Sequence, residues 1–212
     1  MLTTTLSQLH QLKLSGMAKA LSQQLEQPGQ YQDLCFAERL QLLTDQEIHE
    51  RDNRKQQRLL KQAQLKLAAN SHDIDYQHPR GLQKSVMAGL LQCDWLQRQQ
   101  NLLLTGPCGT GKTYIACALA NTACLKGYTV KYYRVSRLLM ELTQAKADGT
   151  YSKKLKSLAK LNLLILDDWG LEPLKAAQRN DLMEIMDDRH GSSSTILISQ
   201  LPTDQWYQSI GD

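Results

Sequence analysis

Residues 106–113, GPCGTGKT, restrict the fold more than any other stretch of this chain. Gly106, Gly111, Lys112 and Thr113 match the G-x-x-x-x-G-K-[ST] pattern of a P-loop. Glycine carries no Cβ, so the backbone there can bend tightly and come close to a ligand. The loop Gly106, Pro107, Cys108, Gly109, Thr110, Gly111, Lys112 and Thr113 is expected to cradle phosphate oxygens, its amides turned inward. A helix starting near Lys112 adds its positive dipole end. Lys112 is expected to reach the β- and γ-phosphates as a catalytic cation. Thr113 is expected to offer its hydroxyl to Mg²⁺.

A second motif, LLILDDWG at 163–170, is an apolar strand ending in two carboxylates. Ligand sites in a parallel sheet lie beyond the carboxyl ends of its strands. Asp167 is therefore expected to face the P-loop and hold the water shell of Mg²⁺. Asp168 is expected to orient and activate an attacking water. A third strand, TILISQ, ends in Ser199 and Gln200, an uncharged polar point suited to a γ-phosphate or a water.

Between and around these motifs, strand and helix patterns alternate. Strands are expected at 102–104, 129–135, 163–166 and 195–199, and helices at 112–126, 136–147, 151–160 and 175–189. Continuous apolar strands in such an alternation argue for an α/β fold with a parallel sheet covered by helices on both faces. If no further strand pairs with it, 102–104 becomes a sheet edge. Residues 1–69 read as a small all-helical N-terminal domain, with an interruption expected at Gly16 and a stop at Pro28-Gly29. Residues 70–100 read as a linker and a first helix, and 101–212 as the P-loop core.

The formal net charge of +4 is too small to identify a partner. Its distribution says more. Arg51, Arg54, Lys55, Arg58, Lys61 and Lys66 form a basic stripe opposed within that span only by Asp52. Such a stripe is either a solvated helix face or a contact for nucleic-acid phosphates. No apolar run approaches a membrane span of about 20 residues, so no membrane partner is expected. Five cysteines without CxxC spacing argue against zinc and disulfide frameworks, and fit a reducing cytoplasm.

The ordered set LSGMAKALSQQLEQP, RDNRKQQRLLKQAQLK, IDYQHPRGL, GPCGTGKT, ADGTYSKKLKSLAKLNLLILDDWG and STILISQLP resembles AAA+ ATPases. Specifically, it resembles IstB-type transposition helpers, relatives of the DnaC helicase loader. The resemblance implies an ATP- and Mg²⁺-dependent homo-oligomer that wraps double-stranded DNA and works with a cognate transposase. It implies ATP binding at 106–113, Mg²⁺ at Asp167, a sensor role at Gln200, and Tyr76, Arg80 and Gly81 beside the adenine. It also implies DNA binding by the N-terminal helices.

Two departures are visible. Many members of that family carry Glu where this chain has Asp168, whose shorter reach implies slow hydrolysis. Members also continue past QWYQSIGD into a segment with arginines and one more strand, so a truncated, weakly hydrolysing product is one expectation. A helicase loader, or a nucleotide-binding relic with little hydrolysis, are the alternatives to a transposition ATPase.

Overall fold

The structure is a computed structural model that describes residues 2–78 and 80–207. The chain divides into two compact units between Arg58 and Leu59. The division lies earlier in the chain than residue 69, because Leu59, Ala63 and Ala69 are buried in the core of the second unit.

The first unit is helical. Helix α1 spans Leu2–Gln11, α2 spans Ser15–Glu26, and α3 begins at Phe36 and runs to Ala63. The break between α1 and α2 precedes Gly16, with Lys13 at a left-handed φ of 60°. Gly16 lies within α2 and serves packing instead. A Cβ on it would stand 2.6 Å from the Cα of Glu47 and 2.7 Å from the carbonyl of Gln46. The absent side chain lets α2 approach α3 backbone to backbone. Glu47 reaches back to the start of α2, accepting from the amides of Gly16 at 2.7 Å and Met17 at 3.1 Å. Gln24 and Arg39 pair reciprocally further along the two helices. Large apolar side chains contribute little here: Phe36, Leu40, Leu42 and Ile48 are exposed.

The second unit is an α/β layer structure. Strands β1 (Leu102–Thr105), β2 (Val130–Arg134), β3 (Leu163–Asp167) and β4 (Ser194–Ser199) form a parallel sheet in the order β1-β4-β3-β2. Among the described residues β1 is an edge strand paired with β4, and Leu103 is half exposed. The central strands β3 and β4 are buried throughout. Side chains on β3 alternate between two cores. Leu163 and Ile165 join one core with helix α6 (Lys112–Leu125). Leu164 and Leu166 join the other with α7 (Val135–Ala147), α8 (Tyr151–Ala159) and α9 (Ala176–Arg189). Both faces of β3 and β4 are covered, so the middles of these two strands read as unbroken apolar runs. Ala116, Ala118, Ala120 and Ala123 on α6 are fully buried, small enough for a helix buried on several sides.

The first helix expected within residues 70–100 is two. Helix α4 spans Lys84–Leu91 and α5 spans Asp94–Gln97, separated by Cys93 at φ 65°. All five cysteines are free thiols. Among the described residues no helix is long and apolar enough to cross a membrane.

Candidate active site

The phosphate loop joins β1 to α6. Gly106, Gly109 and Gly111 take φ values of 146°, 81° and 84°, conformations that side chains rarely adopt. Gly111 carries a second constraint. The guanidinium of Arg80 lies over it, with Nη1 only 2.5 Å from where a Cβ would sit. The same Nη1 donates to the carbonyl of Thr110 at 3.1 Å, and Nη2 donates to the carbonyl of Asp75. The Lys112 ammonium donates to the carbonyls of Gly106 at 2.6 Å and Pro107 at 2.7 Å. The Thr110 hydroxyl bonds within the loop, to the Pro107 carbonyl at 3.0 Å. Cys108 is exposed on the loop.

Opposite the loop, β3 delivers Asp167, which is 2% exposed. Its Oδ2 accepts from the Thr113 hydroxyl at 2.9 Å, linking the two motifs across the sheet. The same oxygen accepts from the phenol of Tyr132 at 2.5 Å, and Oδ1 accepts from the amide of Asp168 at 2.9 Å. Burial, reinforced by that bond to Asp167, pushes the Tyr132 phenol well above its usual pKa, so it remains a donor. Asp168 takes a left-handed φ of 62°, and its carboxylate stands 3.4 Å from Nε of Arg134. Ser199 is buried, with its hydroxyl donating to the Trp169 carbonyl at 2.8 Å, whereas Gln200 is exposed.

A cleft of about 300 Å³ gathers Cys108, Gly109, Gly111, Lys112, Thr113, Asp167, Asp168, Ser199 and Gln200. Lys66 and Leu67 line it too. Lys66 was expected on the basic stripe, but α3 ends before it and the side chain sits 3.9 Å from Oδ2 of Asp167. It is a cleft residue rather than a stripe residue. Arg51, Arg54, Lys55, Arg58 and Lys61 are exposed at a spacing that keeps them on one face of α3. Arg51 pairs with Glu47 at 2.7 Å and Arg54 with Glu50 at 3.6 Å, so the stripe is partly neutralised by acids one turn earlier.

Sequence reasoning missed Tyr132, Arg134 and the placement of Lys66. Arg134 sits beside Asp167 in the strand register, at the carboxyl end of β2. A charged residue closing a strand was the available signal for it. Nothing local marks Tyr132, one of two adjacent tyrosines in a buried strand.

A phosphate loop between β1 and α6, an acid at the end of β3 and a parallel β1-β4-β3-β2 sheet define the class: a P-loop nucleoside-triphosphatase fold of the AAA+ kind. The fold is similar to that of the crystal structure of the DnaC helicase loader, with TM-score 0.55 and 23% identity over 60% of this chain and 77% of that one. The chain belongs to the family of IstB-like ATP binding proteins, whose model matches residues 7–212. It is 51% identical, over 94% of its length and 86% of the relative's, to a Pseudomonas fluorescens protein named for ATP binding in insertion sequence IS1162. It is 43% identical, over 98% of its length and 84% of the relative's, to the Sinorhizobium fredii insertion-sequence protein y4pL, also named for ATP binding.

Proposed function

We propose that this chain is a DNA-dependent ATPase that assists a transposase in moving an insertion sequence. The observation that carries the reading is the bond from Thr113 to Asp167 at the mouth of the phosphate loop. It brings a hydroxyl and a carboxylate, the hard oxygen donors that Mg²⁺ takes, within one hydrogen bond of each other. Among the described residues no cluster of three or more His, Cys, Asp or Glu side chains offers an all-protein metal site. A metal shared with phosphate oxygens therefore fits this donor set better than a protein cage.

Mg²⁺, when bound, would neutralise charge developing on the β- and γ-phosphate oxygens. The chain's own groups do the rest. The loop amides grip the phosphates, and the Lys112 ammonium exchanges its carbonyl partners for phosphate oxygens. Asp168 accepts the proton of the attacking water, and Gln200 lines the same cleft to hold that water or the γ-phosphate. Tyr132 keeps the Asp167 carboxylate in one orientation. Arg51, Arg54, Lys55, Arg58 and Lys61 on α3 would meet the phosphates of duplex DNA. The insertion-sequence names of the relatives support a transposase as partner, and the AAA+ fold supports a homo-oligomer as the working form.

The test is ATP hydrolysis with and without duplex DNA, wild type beside Lys112→Ala. Hydrolysis stimulated by DNA and abolished by the substitution is expected. Hydrolysis indifferent to Lys112 would remove the site, and nucleotide binding without hydrolysis at any DNA concentration would remove the motor.

A further inference from the structure

We infer that Lys66 is a second cationic ligand for the nucleotide's terminal phosphate, supplied by the segment that follows α3; the inference rests on the nucleotide reading above. The geometry begins with how the segment is held. Ala63 closes α3, and Gln64 takes a left-handed φ of 50°, turning the chain off the helix axis. A non-glycine residue holds that conformation only when its surroundings over-determine it. Here they do so at both ends. Lys131 on β2 donates to the Gln62 carbonyl at 3.1 Å and to Oε1 of Gln64 at 2.6 Å. On the other side, Nδ2 of Asn121 on α6 donates to the Ala69 carbonyl at 2.9 Å and to Oδ1 of Asn70 at 3.0 Å. Ala63 and Ala69 are buried, so the stretch between them is laid along the second unit and cannot swing away as a free tail.

This clamp aims Lys66 into the cleft that holds Lys112 and Thr113. Its ammonium lies 3.9 Å from Oδ2 of Asp167, inside Coulomb range but outside hydrogen-bond range. Asp167 does not need it as a donor, because Thr113, Tyr132 and the Asp168 amide already bond the carboxylate. The Lys66 ammonium makes no hydrogen bond to the described residues, and the side chain is 36% exposed. A lysine so placed has three donors unspent at the mouth of a phosphate loop. Its flexible stem and compact charge suit a phosphate oxygen. Lys112 reaches from the loop and Lys66 from the segment after α3, beside Asp167; on this inference a diphosphate would satisfy the first without engaging the second. Lys66 would thus discriminate ATP from ADP.

The test is equilibrium binding of a fluorescent non-hydrolysable ATP analogue and of fluorescent ADP to the full chain, in Mg²⁺ and again in EDTA. Lys66→Met, Lys66→Arg, Lys112→Ala and the charge control Lys160→Met are compared with wild type. Lys66→Met is expected to weaken the ATP analogue about tenfold and ADP less than about threefold, as for loss of one hydrogen bond between charged groups. Lys66→Arg should recover most of the loss, and Lys160→Met should bind as wild type. Equal losses for both nucleotides, or none for the analogue, would overturn the inference. So would a loss of duplex DNA affinity in Lys66→Met with nucleotide binding intact, which would return Lys66 to the stripe. Failure of Lys112→Ala to weaken either nucleotide would instead sink the phosphate-loop reading itself.

Discussion

Tyr132 and Asp167, on neighbouring strands, bond phenol to carboxylate at 2.5 Å. Both are buried, so the bond is shielded from water and sets where Oδ2 points. Tyr132→Phe keeps the ring and removes the donor. It is expected to cost about 1.5–3 kcal/mol of stability, as for a bond to a charged group. The Mg²⁺ concentration for half-maximal ATP hydrolysis should rise several-fold, because a carboxylate free to rotate presents its oxygens less often. A Mg²⁺ titration with the same midpoint as wild type would leave Tyr132 a packing residue.

Arg134 and Asp168 form an ion pair at 3.4 Å, with Arg134 about half exposed and Asp168 less so. A pair of that exposure is worth about 0–1 kcal/mol. It competes with the water that Asp168 is proposed to orient. Arg134→Ala should therefore leave the melting temperature nearly unchanged and raise kcat by up to about fivefold, the equivalent of 1 kcal/mol. KM for ATP should stay within about twofold of wild type, since neither residue of the pair belongs to the phosphate loop. A fall in kcat would mean that Arg134 helps the reaction directly.

Arg189 is fully buried at the end of α9 and among the described residues bonds only neutral oxygens: Oγ1 of Thr195 at 3.1 Å and the carbonyls of Leu158 at 2.5 Å, Leu161 at 3.0 Å and Ser194. Burial lowers its pKa to about 10, which leaves it charged at neutral pH. The guanidinium ties the end of α8 to the start of β4. Arg189→Leu would remove a donor from three carbonyls, of which Leu158 keeps the Leu161 amide, at about 1–3 kcal/mol for each left unpaired. The expected result is a chain that melts far below wild type or does not accumulate, and Arg189→Lys should recover only part, since one ammonium cannot span the fork. A melting temperature within two or three degrees of wild type would show that water replaces the bonds.

Glu47 should make the first unit sensitive to acid. Burial raises its pKa, but the Arg51 guanidinium and the amides of Met17 and Gly16 outweigh it and hold the carboxyl below its ordinary 4.5. A lowered folded-state pKa contributes stability that is present above about 4.5 and lost as pH falls through the lower folded value. Hydrogen-exchange protection of the Gly16 and Met17 amides should therefore decline as pH falls below 4.5. In Glu47→Gln protection should be lower at neutral pH and should lack that decline. A wild-type protection factor flat from pH 6 to pH 3 would contradict the assignment.

Much of the site was legible before the fold was known. Gly106, Gly111, Lys112 and Thr113 declare themselves because a tight phosphate turn admits few residue types, and Asp167 because a fully buried strand has little other reason to end in an acid. Gly16 looks like a break because a glycine inside a helical pattern reads so until a second helix is seen crossing it. Lys66 continues the pattern of a basic helix in one dimension, while the backbone has already turned at Gln64.

The amino-acid sequence by itself determined the phosphate turn, the acidic strand end and the alternation of strand and helix, because each depends on residues adjacent in the chain or repeating at a short period. Only the tertiary structure decided that Tyr132, Thr113 and Lys66 converge on one oxygen of Asp167, that Arg134 holds Asp168, and that Arg80 covers Gly111. Those groups lie far apart along the chain. Strand order and register bring them together, and both are set by the packing of the whole sheet rather than by any local stretch of residues.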